Sequence, residues 1–187
     1  MTTYPPLTDT DLNALARMGL PRTSLDVPKE NTNMTEMRIL TVRQPWAWAI
    51  IYGGKDVENR VRNVAGDYRG PVAIHAGAEY DREADAHPEI RSMARARDAA
   101  SLREHLIAHG EKAYRRIIGV ADFTGVHLDR GQESELCSEW AETEVHHLVL
   151  ENPRPLAEPI PYRGALGLRR LEDTTTAQIL AQIGDPR

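Results

Sequence analysis

From Arg38 onward, short apolar runs alternate with polar punctuation. Ile39, Leu40 and Val42 read as a strand, and Gln44-Pro45 opens a helix with proline in its first turn. That helix carries Trp46, Ala47, Trp48, Ala49, Ile50 and Ile51 and stops at Gly53, which leaves Lys55 at its exit. From Asp56 to Val61 the pattern has period two, with Val57 and Val61 on one face and Glu58, Arg60 and Arg62 on the other. Glu58 and Arg60 are then same-face neighbours roughly 6 to 7 Å apart along a strand. A turn through Gly66-Asp67 and Arg69-Gly70-Pro71 leads to a second strand over Val72–Ala76. Ile90, Met93, Ala94 and Arg97, then Leu102, Leu106 and Ile107, have helical spacing and predict two amphipathic helices between Asp81 and Arg116. Ile117 to Leu128 is the longest strand expected, and His147–Glu151 is another. Pro153, Pro155, Pro159 and Pro161 predict a rigid extended connection, Gly164–Leu168 with Leu171 a closing strand, and Thr174–Ile183 a terminal helix with a threonine cap.

Strands outnumber what one open layer needs, and no βαβ rhythm is present. The expected fold is therefore α+β and mainly β: a small mixed β-barrel with helices plugging and flanking it. The barrel domain should span residues 38–171. Residues 1–37 read as an N-terminal arm with one short helix, Asp9 to Met18, and 172–187 as a C-terminal helix. At 187 residues with 41% apolar side chains, one domain has enough material for a core. Cys137 is the single cysteine, so no intramolecular disulfide forms, which fits a reducing compartment. The first residues have no basic segment followed by an apolar one, and no apolar run reaches membrane-span length; a cytoplasmic protein without a membrane partner is expected.

Charge narrows the ligand. With 28 acidic against 23 basic residues the chain lacks the basic surface that grips duplex DNA by counterion release. Residues 38–75 hold Arg38, Arg43, Lys55, Arg60, Arg62 and Arg69 against Asp56, Glu58 and Asp67, 6 minus 3 or +3, whereas residues 129–144 hold six carboxylates against Arg130, a balance of −5. One basic patch in an acidic protein suits a nucleoside-sized ligand or a short single strand. The acidic segment could also dock a basic protein partner.

Lys55, Glu58 and Arg60 lie beside Trp46 and Trp48, in a chain with three tryptophans, and charges beside aromatics fit recognition of a flat polar ligand. As an exposed pair they would contribute only about 0 to 1 kcal/mol. Lys55 can be a base only if burial lowers its pKa, while a nearby Glu58 holds it protonated, so the two roles compete. Trp46 can stack on a base or belong to the core, and Trp48, two positions on, reads as core. Gln44 can read a base edge or cap the turn; His75 is a proton carrier or a structural histidine; Tyr162 and Arg163 form the far wall of the cleft or a solvated loop. Cys137, His127, His146 and His147 lack a paired zinc spacing, so no metal is read from them, and no cofactor is expected.

The run Gly53-x-Lys55-x-x-Glu58-x-Arg60, preceded by Arg43-Gln44-Pro45-Trp46-Ala47, resembles the signature of the ASCH domain family, whose fold is similar to the PUA domain of RNA-modifying proteins. Ile74-His75-Ala76 and Tyr162-Arg163-Gly164-Ala165-Leu166-Gly167-Leu168 match further pieces, so the resemblance covers roughly 38–171. It implies a β-barrel with a cleft beside the first helix, lined by Lys55 and Glu58, in a family linked to RNA binding, RNA cleavage and hydrolysis of the acetyl amide of N4-acetylcytidine. Family fold does not choose among these. The acetylcytidine amidohydrolases carry a Lys-x-x-Thr segment, and Glu58 stands here in place of the threonine. The expected function is binding of a nucleotide or single-stranded RNA by Gln44, Trp46, Lys55, Glu58 and Arg60, with His75, Tyr162 and Arg163 alongside; the alternative is a hydrolase in the same cleft, with Lys55 and Glu58 catalytic.

Overall fold

The computed structural model describes residues 36–95, 114–131 and 135–184. The expected arm helix over Asp9 to Met18 and the second amphipathic helix around Leu102, Leu106 and Ile107 lie outside those residues. In order, the described elements are β1 (Arg38–Gln44), α1 (Trp46–Tyr52), β2 (Val57–Arg60), β3 (Gly70–Tyr80), a 3-10 turn (Arg82–Ala86), α2 (Pro88–Arg95), β4 (Arg116–Leu128), β5 (His146–Pro161), β6 (Leu168–Arg170) and α3 (Asp173–Ile183). The fold is α+β and mainly β, as the pattern predicts.

Six strands form one sheet in the order β2-β5-β4-β3-β1-β6. β1 and β3 run parallel, and β1–β6, β3–β4, β4–β5 and β2–β5 are antiparallel. β1 is buried on both faces only at Ile39 and Leu40; beyond them Val42 and Gln44 stay buried while Thr41 is half-buried and Arg43 exposed, so the strand alternates toward its end. Leu40 and Val42 point to one side, into a core with Ile50 and Ile51 of α1, Ile74, Phe123, Leu148 and Leu150. Ile39 points to the other side and packs with Met37, Ile117, Val120, Leu156, Leu171 and Ile179 of α3. A third cluster, Trp48, Ala49, Val57, Ile90, Trp140 and Ala141, surrounds the outer side of α1.

The expected barrel is not closed: β2 and β6 are the sheet's edges. β6 covers only Arg38, Ile39 and Leu40 of β1, and among the described residues no other strand pairs with the rest of that edge. β2 comes near it, but the link is a side chain, Arg60 Nη2 donating to the Thr41 carbonyl at 2.9 Å. A guanidinium in the gap takes the acceptor that a backbone ladder would need, so a seam remains between β1 and β2.

Several boundaries also differ from the pattern. β2 ends at Arg60, and Val61 is 83% exposed instead of joining Val57 in the core. β5 runs straight through the four prolines: β2 pairs with it only over 146–149, and past that point one edge of β5 has no strand neighbour among the described residues, so a missing N–H costs no ladder bond to them. The closing strand is Leu168–Arg170 only, since residues 162–167 form a loop. α3 begins after Glu172 and has no side-chain cap.

Candidate functional site

The double glycine aims Lys55. Gln44, 1% exposed, accepts a hydrogen bond on Oε1 from the Trp48 N–H at 3.0 Å and fixes the first turn of α1. At the other end the Ala49 carbonyl accepts both the Gly53 N–H at 2.9 Å and the Lys55 N–H at 3.0 Å, so the chain folds back over the last turn. A Cβ on Gly53 would sit 3.0 Å from Ala49 Cα and from Trp48 Cζ3, and Gly54 takes a φ of +72°. Both positions therefore need glycine.

Folding back buries Lys55 to 4% exposure. Its Nζ donates to the Val57 carbonyl at 2.6 Å and lies 5.3 Å from the Trp46 ring centroid and 5.7 Å from that of Trp140. Glu58, 7% exposed, is shared unequally: Oε1 is 3.0 Å from Arg60 Nη2, whereas Oε2 is 4.0 Å from Lys55 Nζ. Burial pushes the Lys55 pKa down from lysine's ordinary 10.5, and Glu58, then Glu142 and Asp56, push it partly back up. The competition expected between the two roles is thus tilted, because Arg60 satisfies the nearer Glu58 oxygen and leaves the ammonium with a looser partner.

An aromatic corner encloses this ammonium. Trp46 Nε1 donates to Asp81 Oδ2 at 3.1 Å, and the ring meets His87 edge-on at 5.2 Å. His87 stacks on Trp140 at 5.3 Å with 7° between planes. Burial lowers the His87 pKa, and the Lys55 charge lowers it further. Trp140 is anchored by Asn59, whose Nδ2 donates to the Trp140 carbonyl at 2.8 Å, and by Ser138, which accepts the Trp140 N–H and donates to Asp56 Oδ1.

The seam between β1 and β2 opens into a cleft of about 440 Å³ lined by Trp46, Lys55, Glu58, Asn59, Arg60, Thr41, Arg43, Asp81, Glu142 and the 165–167 loop. Trp46, Lys55, Glu58 and Arg60 are brought together as expected. Gln44 lies beneath them and does not line the cleft. His75, Tyr162 and Arg163 line a neighbouring cavity of about 760 Å³ that shares Thr41, Ala165 and Leu166 with the first. His75 there is 2% exposed, its Nε2 lies 3.0 Å from the Tyr162 carbonyl, Nδ1 has no partner, and burial lowers its pKa. Trp140, His87, Asp81, Asn59 and Glu142 were not signalled by the motif. Their one sequence clue is Trp140 itself, the third tryptophan of a chain poor in aromatics.

His127, Cys137 and His147, three of the four residues whose spacing gave no metal signal, converge: their ligand atoms all lie within 4.8 Å of one another.

No protein-family model matches the chain, and no curated protein matches it. Among solved structures the chain is similar to ASCH from Zymomonas mobilis, at 15% identity and a TM-score of 0.44, over 78% of this chain and 94% of that one. It is also similar to a tyrosine-to-phenylalanine variant of that protein, at 16% identity and a TM-score of 0.46, over 78% of this chain and 97% of the other. Both are ASCH proteins, the family that the run from Arg43 to Arg60 resembles. Among the described residues no helix is long and apolar enough to cross a membrane.

Proposed function

We propose that the seam cleft binds a nucleotide or a single-stranded RNA segment and takes up one unpaired base. The observation that carries this is the cleft wall formed by Trp46, Lys55 and Glu58, where the buried Lys55 ammonium lies near the Trp46 ring, with Trp140 behind it, and Glu58 beside it. An ammonium donor and a carboxylate oxygen held only loosely by it, 4.0 Å away, complement an exocyclic amine next to a ring nitrogen or carbonyl, the edge that an unpaired base offers. Around them the lining charges balance, Arg43, Lys55 and Arg60 against Glu58, Asp81 and Glu142, which favours a neutral base over a polyphosphate as the main determinant. A cleft of about 440 Å³ also falls within the range of small-ligand sites.

The test is a titration of single-stranded RNA and free nucleosides, followed by tryptophan fluorescence, at two salt concentrations. Binding lost in Lys55→Met and Glu58→Gln, with a shallow salt dependence, is the expected result. No change in fluorescence at low salt with any of these ligands overturns the reading.

A second reading, hydrolysis of RNA or of an acylated cytidine in the same cleft, is favoured by the burial of Lys55, which lowers its pKa in the direction that a general base requires. Thr41, which lines the cleft, accepts a hydrogen bond on Oγ1 from the Ala165 N–H at 3.1 Å, and in this reading water is the nucleophile. Strand scission or free acetate that survives in both Lys55→Ala and Glu58→Ala excludes catalysis at this cleft.

A further inference from the structure

A second constellation lies outside the cleft, where β4 ends and β5 begins. His127 and His147 are directly opposed in the β4–β5 register, so their side chains stand on one face of the sheet. The connection between these strands is closed at its neck, with the Asp129 N–H donating to the Val145 carbonyl and the Asp129 carboxylate accepting from the Gly131 and Glu144 N–H groups. It returns Cys137 to the same face.

The proton arrangement is what gives the cluster chemical meaning. His147 Nε2 lies 2.7 Å from the Glu142 carbonyl, which can only accept, so the proton of the neutral ring sits on Nε2. Nδ1 then presents a lone pair. That lone pair is 3.2 Å from Cys137 Sγ and 3.2 Å from His127 Nε2. Two tetrahedral zinc ligands at the usual zinc–nitrogen and zinc–sulfur lengths are separated by roughly 3.3 to 3.6 Å, so both edges are close to the spacing that such an ion imposes. A backbone carbonyl that fixes the ring and its tautomer is the usual outer support of a zinc-bound histidine. His147 is buried, while His127 and Cys137 are exposed, which leaves the ion a path of entry.

We propose that His127, Cys137 and His147 bind one zinc ion, through Nε2, Sγ and Nδ1 respectively. Binding displaces the thiol proton of Cys137 to solvent, and water fills the fourth position. The ion staples the β4–β5 connection to the strands that flank it. That connection supplies Trp140 and Glu142, whose carbonyl holds His147, so the site fixes one wall of the seam cleft from behind. His146, the next residue along β5, points to the opposite face and takes no part.

The test uses the full chain without a tag, loaded with Zn²⁺ in competition with a chelating dye and, separately, with Co²⁺ as an optical probe. The expected result is one ion per chain, with a thiolate-to-cobalt charge-transfer band and the intense visible bands of a tetrahedral site. Cys137→Ser should abolish the charge-transfer band. His127→Ala should weaken zinc binding at least roughly 100-fold, the upper end of what loss of an outer partner alone costs. Both residues are exposed, so the variants should fold, and circular dichroism checks that. His146→Gln should bind zinc as the parent does. The proposal is overturned if the chain takes up no zinc at one per molecule, if the cobalt spectrum lacks the thiolate band, if Cys137→Ser and His127→Ala keep the parental affinity, or if His146→Gln loses it.

Discussion

Arg60→Ala tests how the seam is held. The wild-type guanidinium makes two contacts through one nitrogen, the Glu58 carboxylate at 3.0 Å and the Thr41 carbonyl at 2.9 Å. Removing it leaves Glu58 buried with Lys55 as its remaining counter-charge at 4.0 Å. Breaking one side of a buried ion pair costs about 3 to 5 kcal/mol, because a charge is left without compensation. Lys55 moderates that, which puts the expected cost near the lower end, about 3 kcal/mol. For a chain of 187 residues each kcal/mol lowers Tm by about 2 to 4 °C, so the expected fall is about 6 to 12 °C. Thermal unfolding followed by circular dichroism reads it directly. Adding Glu58→Gln removes the stranded charge and should restore at least about 1 kcal/mol, a coupling within the range seen for contacting residues. A single variant that melts within about 1 °C of the parent, or a double variant whose losses simply add, refutes the account of Arg60 as the group that neutralises Glu58 across the seam.

Three further predictions follow from particular contacts. Gly119→Ala should destabilise by about 1 to 3 kcal/mol in urea titration, since the new Cβ would lie 2.8 Å from the Arg154 carbonyl and 2.6 Å from Ile51 Cδ1; an unchanged midpoint contradicts the packing of α1 on β4. Lys55→Met should change how stability depends on pH: between the lowered folded pKa and 10.5 the wild type releases a proton on folding and gains stability as pH rises, and the methionine variant, with nothing to titrate there, should lose that rise. Burial, with the Glu36 charge adding to it, raises the Tyr68 pKa from 10.0 to about 12; its contribution is whole below pH 10 and is lost as pH climbs through 12, so alkaline unfolding curves of Tyr68→Phe should be flatter over that interval.

The stretch from β1 to β2 was legible because each of its signals is local. Proline after Gln44, paired glycines after an apolar turn, and a period-two run locate the strand, helix and strand that carry Lys55, Glu58 and Arg60. What could not be read is what depends on register between distant strands. His127 faces His147 only because β4 and β5 pair as they do, and Cys137 joins them through a connection whose closure at Asp129 has no spacing signature. Trp140 reaches Lys55 for a related reason, held by Asn59 across more than eighty positions of chain. The prolines of β5 misled for a different reason, since their exclusion from strands applies where both edges are paired, and that stretch has one edge with no strand neighbour among the described residues. The 38–171 boundary, with an arm before it and a helix after it, remains the domain organisation expected from the sequence.

A sheet that stops one ladder short of closure leaves the shape of its seam to side chains and not to backbone pairing. The width and polarity of the groove are set by side chains such as Arg60, Glu58 and Thr41, while the pairings that hold the other strands in place lie elsewhere. Point substitutions along the seam therefore change the groove without breaking a backbone ladder, a freedom that a fully laced cylinder lacks.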